Sequence, residues 1–181
     1  MAAKIFGKVT IIRTDITKLT VDIIVNAANK RLLGGGGVDG AIHDAAGPEL
    51  LAECKTLGGC QTGEAKLTRA YNITNAKGII HTVAPQVFGA LTEDHCAQLY
   101  NCYKNSLRVA VENGFRSVAF PCLGTGVYHF PHKEAATIAI QAVREALDDS
   151  VFGPKLDNVI FCLHNPVDVT IYDELVPKSF P

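Results

Sequence analysis

The chain has 181 residues, 48% of them apolar and 7% aromatic, with a formal net charge of -1. That length suits one domain with one core, so residues 1–181 are read as a single domain, and the apolar content excludes a disordered chain. A charge so near neutral supplies no basic field to gather a polyanion. It excludes extended nucleic-acid binding and leaves room for one small anion held by backbone N–H groups.

Met1 to Gly7 holds no long apolar stretch, so no export signal is read there and a reducing, cytoplasmic setting is expected. Val9 to Arg13 reads as a strand. Val21 to Asn26 (VDIIVN) is a nearly continuous apolar run, the pattern of a strand buried on both faces. Asp39 to Ala46 and Glu49 to Leu57 read as two short helices broken by Gly47 and Pro48. Ala65 to Tyr71 is a further strand, and Gly78 to Val83 (GIIHTV) another buried one. Leu99, Tyr100, Tyr103, Leu107, Ala110 and Val111 share one face of a helix that ends near Gly114. Ser117 to Pro121 (SVAFP) is a strand. Ile138, Ala139, Ala142, Val143, Ala146 and Leu147 mark a helix with Pro131 near its start. Asn158 to Leu163 (NVIFCL) is the last strand, and Val167 to Leu175 a short closing helix.

Strands alternating with helices imply a largely parallel sheet covered on both faces. Ligands of such sheets bind outside the carboxyl ends of the strands. That points to the loops after Asn26, Pro121 and Leu163. No apolar run approaches the roughly 18 residues of a membrane span. Cys54, Cys60, Cys96, Cys102, Cys122 and Cys162 form no C-x-x-C pair, so free thiols are expected, with no zinc knuckle and no other metal site.

Asn26 to Gly47 reads NAANKRLLGGGGVDGAIHDAAG, with four consecutive glycines, Gly34 to Gly37, before a helix. Glycines allow positive φ and let a ligand approach the backbone. A helix start adds free N–H groups and the positive end of the dipole. A P-loop is excluded, because Val38 and Asp39 follow the last glycine where Lys and Ser or Thr are required. Gly35 to Gly40 matches G-x-G-x-x-G, but Ala27 to Leu33 separate it from the preceding strand, which a dinucleotide fingerprint does not allow. A plain surface loop is the remaining alternative. A second loop, Pro121 to Pro131 (PCLGTGVYHFP), also joins a buried strand to a helix, and its Gly124, Thr125 and Gly126 supply more backbone donors. Two such loops facing each other form a clasp for a diphosphate. Tyr128 offers an aromatic face for a sugar, or else packs as an ordinary core aromatic.

NAAN, LLGGGGVDGAIHDAAGPELLAEC, GCQTGEAKLTRAY, IIHTVAP and PCLGTGVYHFP occur in that order. Together they resemble the successive signatures of MacroD-type macrodomains, from about Asp15 to Leu147. The resemblance implies a three-layer α/β/α fold with a mixed, largely parallel central sheet, a monomer with ADP-ribose as ligand, and no cofactor. It implies adenine against Asp15 and Ile16, with His164 beside it where an aromatic often packs. Asp15 has a simpler reading as the cap of the turn before Thr17. It implies distal-ribose contacts from Ala28 and Asn29, a lining from Gly35, Gly36, Gly37 and Val38, and an opposing loop of Gly124, Thr125, Gly126, Val127 and Tyr128. Asn26 is read as a loop-shaping residue. Asp39 matches the family's catalytic aspartate, against the simpler reading of a helix cap. His43 lies on the same helix face four residues on, as a steering group or a buried structural histidine. His81 reads as structural.

Several positions depart from the family pattern. Thr14, Ala84 and His129 stand where glycine is usual, and Gly124 where serine is common. His129 would be strained if its φ is positive. The implied activity is removal of mono-ADP-ribose from Asp or Glu side chains of proteins, with deacetylation of O-acetyl-ADP-ribose and little action on the polymer. The alternatives are a reader that binds ADP-ribose without turnover, and hydrolysis of ADP-ribosylated nucleic-acid ends.

Overall fold

The computed structural model describes residues 2–181. Among them, strands β1 (Lys4–Phe6), β2 (Val9–Arg13), β3 (Val21–Ala27), β4 (Ala65–Thr68), β5 (Ala76–Thr82), β6 (Ser117–Phe120) and β7 (Asn158–Leu163) form one sheet. Its order is β1-β2-β7-β6-β3-β5-β4. The run from β2 to β5 is parallel, and β1 and β4 close the edges antiparallel. Helices α1 (Gly37–Ala46), α2 (Pro48–Lys55), α3 (Glu93–Glu112), α4 (His132–Asp148) and α5 (Pro166–Ser179) cover the two faces.

Strand side chains alternate between faces, and each buried strand here feeds two cores. Ile23, Val25, Val118, Phe120, Val159 and Phe161 meet apolar residues of α3, α4 and α5. Ile24, Ile79, Ala119, Ile160 and Cys162 meet those of α1 and α2. This is the expected three-layer arrangement with a mixed, largely parallel sheet. Among the described residues no helix is long and apolar enough to cross a membrane, and all six cysteines are free.

Departures from the sequence reading lie at element ends. β1 shows no alternation in its three residues and was not foreseen. β4 stops at Thr68, and the chain takes a left-handed φ of 48° at Tyr71, the end of the expected strand. α3 starts at Glu93, well before Leu99, because Thr92 and His95 form a reciprocal cap. α5 runs on to Ser179.

The loop leaving β6 is anchored from α3. Tyr103 is fully buried and its hydroxyl accepts the Leu123 N–H at 3.3 Å. Tyr103→Phe keeps the packing and leaves that buried N–H unpaired. Urea unfolding should show a loss of about 1–2 kcal/mol; unchanged stability would mean the bond contributes nothing.

Candidate active site

β3 ends at Ala27 and α1 begins at Gly37, so the glycine loop crosses the carboxyl edge of the sheet before entering the helix. Leu32, Gly34 and Gly37 take left-handed φ values of 58°, 83° and 56°. Asn29 ties this loop together. Its Oδ1 accepts the N–H groups of Arg31 at 3.2 Å and Leu32 at 3.1 Å, and its Nδ2 donates to the Gly34 carbonyl at 3.0 Å. One N–H of the amide is left for a ligand. A Cβ on Gly40 would sit 2.6 Å from the Gly35 carbonyl oxygen, so helix and loop touch backbone to backbone. The helix N-cap is Gly36, with no side-chain cap bond. The first N–H groups of α1 and the positive end of its dipole therefore face outward. A Cβ on Gly36 or Gly37 would meet nothing within 4 Å, so the backbone there is open to a ligand.

Asp39 lies in the first turn of α1 rather than at its cap, and is 6% exposed. Its Oδ1 accepts from Asn26 Nδ2 at 2.8 Å and lies 3.4 Å from His43 Nε2. Its Oδ2 has no partner among the described residues and faces Gly35, 3.2 Å from where a Cβ would stand. Burial lifts the Asp39 carboxyl above the ordinary carboxylate value, while the Asn26 bond and the charge of His43 pull it down. Asn26, expected to shape the loop, instead lies inside β3 and is wholly buried. It shares a strand face with Ile24, the face that meets α1, so its amide reaches Asp39. Behind it stands His81, with Nδ1 3.1 Å from Asn26 Nδ2 and Nε2 2.9 Å from Thr68 Oγ1. Burial, then the charge of His43, pushes His81 down to about 3, so its imidazole is neutral.

The second loop runs opposite. Phe130 N–H bonds the Gly124 carbonyl at 2.9 Å, His129 N–H bonds that of Gly126 at 3.0 Å, and the Thr125 hydroxyl bonds that of Cys122 at 3.3 Å. Gly126 and Val127 are exposed, and Tyr128 is half-buried against the core, with its carbonyl accepting from Val87 N–H at 2.8 Å. His129 does take positive φ, 60°, the strain that its replacement of a glycine implied.

Two departures from the family pattern, Gly124 and Ala84, meet at one point. Gly124 has φ 82°, and a Cβ on it would lie 3.3 Å from the Cβ of Ala84. The methyl at position 84 occupies the room that a side chain at 124 needs.

The remaining residues sit at the neighbouring strand ends. Asp15 Oδ1 accepts the Thr17 N–H at 2.9 Å and its hydroxyl at 2.7 Å, capping the 3-10 turn Ile16–Lys18. Ile16 and Ala28 are buried in the core under α1 and α2. His164 is exposed just past β7, and its carbonyl accepts from Arg13 Nε at 3.0 Å. Arg13 and Leu163 are in register, so Asp15 and His164 follow the ends of neighbouring strands. All these positions therefore share one edge. The two that sequence reasoning undervalued, Asn26 and His81, were legible only as polar residues inside apolar strand runs.

The sequence profile described as Macro domain matches residues 25–139. The chain is 51% identical over 174 residues to the ADP-ribose glycohydrolase MACROD2 of Xenopus laevis, covering 96% of this chain and 41% of that protein. It is 49% identical over 174 residues to the ADP-ribose glycohydrolase MACROD1 of Rattus norvegicus, covering 96% of this chain and 66% of that one. It thus spans less than two-thirds of the length of these curated relatives. The Trypanosoma brucei macrodomain in complex with ADP-ribose superposes with a TM-score of 0.85 at 42% identity, covering 93% of this chain and 69% of that one.

Gly124→Ser should lower stability, through both the contact with Ala84 and the positive φ. Adding Ala84→Gly should recover part of the loss, with a coupling of about 0.5–2 kcal/mol in a double-mutant cycle. Additive effects would show that the two positions are independent.

Proposed function

The chain belongs to the macrodomain family, and we propose that its cleft binds ADP-ribose and hydrolyses the ester joining the distal ribose to an Asp or Glu side chain of a mono-ADP-ribosylated protein. O-acetyl-ADP-ribose, also a ribose ester, is proposed as a second substrate. In this reading adenine lies against Asp15, Ile16 and His164, and the diphosphate between Gly35–Val38 and Gly124–Tyr128. The distal ribose lies against Ala28 and Asn29. Three strand spacings separate β2 from β3, roughly 14 Å at about 4.8 Å each, which suits a nucleotide-sugar stretched across the strand ends. A reducing, cytoplasmic setting suits six free cysteines.

The observation that carries the reading is the half-committed carboxylate of Asp39. One oxygen is held by Asn26 and the other is free beside the glycine loop. The leaving group of the ester is a carboxylate, which departs with the electron pair of its bond to the ribose and needs no strong acid. The task left is to hold and polarise one water, for which Asp39 Oδ2 is the acceptor; the water oxygen bonds to the anomeric carbon and its surplus proton is released to solvent. A reader domain has no need of a buried carboxylate at that point. His43, four residues along α1, is proposed to steer Asp39.

Incubation with a protein mono-ADP-ribosylated on glutamate should release free ADP-ribose. Asp39→Ala and Asn29→Ala should each lower kcat by about 10²-fold or more. Calorimetry should show ADP-ribose still bound. A wild-type protein that binds ADP-ribose and releases none would make this a reader. Because burial raises the Asp39 carboxyl, kcat should fall on acidification at a pH above the ordinary carboxylate value. A rate flat down to about pH 4 would remove Asp39 from the step.

A further inference from the structure

A row of buried polar groups runs behind the cleft, across four elements. Thr68 Oγ1 donates to the Arg69 carbonyl at 3.1 Å and lies 2.9 Å from His81 Nε2. A hydroxyl that donates to Arg69 accepts from Nε2, and in that tautomer Nε2 carries the imidazole hydrogen and Nδ1 is bare. His81 and Asn26 are in register on β5 and β3, and the bare Nδ1 lies 3.1 Å from Asn26 Nδ2. The same Nδ2 donates to Asp39 Oδ1 at 2.8 Å. In this tautomer Asn26 Nδ2 donates to both of its neighbours, Nδ1 and the carboxylate. A flipped Asn26 amide would set its oxygen against both the bare Nδ1 and the carboxylate. Asn26 Oδ1 is itself buried with no partner, so the orientation rests on the two acceptors that Nδ2 faces.

We propose that His81 is a positioning residue, whose bare Nδ1 locks the Asn26 amide so that Asp39 always faces an N–H. The lock keeps Asp39 anionic, with Oδ2 free to hold water. This role rests on the hydrolase reading. Around Asp39 stand Asn26 from β3, His43 from α1 and Cys54 from α2. Around His81 stand His43, Cys54, Cys60 and Thr68. The two thiols are pushed up to about 11, chiefly by burial, and stay neutral. His43 is common to every variant below.

His81→Leu removes the acceptor. His81→Asn restores one, since its Oδ1 stands where Nδ1 did. In His81→Leu, kcat should fall about tenfold or more with KM changed less than about threefold, and the acid limb of the rate profile should move up by about one pH unit. His81→Asn should recover most of both. Equal losses in both variants with an unmoved acid limb, or full activity in His81→Leu, would reduce His81 to packing. Should His81→Leu fail to fold, nitrogen NMR of the wild-type ring decides. A neutral ring protonated on Nε2 from about pH 5 to 8 is expected, and an Nδ1–H tautomer would overturn the proposal. If the wild type has no turnover, the hydrolase reading fails separately, and the carbon NMR titration of Asp39 still tests the lock. That titration should move up in His81→Leu and return in His81→Asn.

Discussion

The hydrogen bond from Asn26 to Asp39 is the contact on which the site depends. A carboxylate that is 6% exposed is costly as an anion unless a donor compensates. Asn26 supplies that donor from a strand, and the first turn of α1 adds the positive end of a dipole. Burial and these two effects pull in opposite directions on the same group. The outcome is a carboxylate with one oxygen fixed and one free. Strand and helix must be docked in a single register for this to hold, so the chemistry inherits the rigidity of the β3–α1 interface.

The same register explains the glycines. Gly40 lets the helix reach the Gly35 carbonyl, and Gly35 leaves room beside the free oxygen of Asp39. Larger residues at either position would part the loop from the helix and uncover the carboxylate. At Gly36 and Gly37, beside that approach, the backbone is open. Dipoles and N–H groups thus provide the positive potential, which accords with a chain of net charge -1. On the opposite loop, the left-handed His129 stores strain of about 1 kcal/mol or more, in keeping with a turn bent around a ligand.

The sheet edge was largely legible in the sequence. Apolar runs such as Val21 to Asn26 and Asn158 to Leu163 can be buried on both faces only in a parallel, helix-covered sheet, and their loops then gather at one edge. Gly34 to Gly37 before a helix could likewise be read as an anion cradle, because positive φ and free N–H groups are local properties of the chain.

What the sequence could not determine is which groups meet across elements. Asn26 and His81 are far apart along the chain, and each looks like a lone polar residue in an apolar run. Only the pairing of β3 with β5 and the docking of α1 over them turn the two into supports for Asp39. The same is true of Ala84 and Gly124, whose side-chain volumes compete only once β5 and β6 deliver their loops to one place. Sequence periodicity fixes which face a side chain takes. Its neighbours on that face depend on strand order and register, which are decided by the packing of the whole chain.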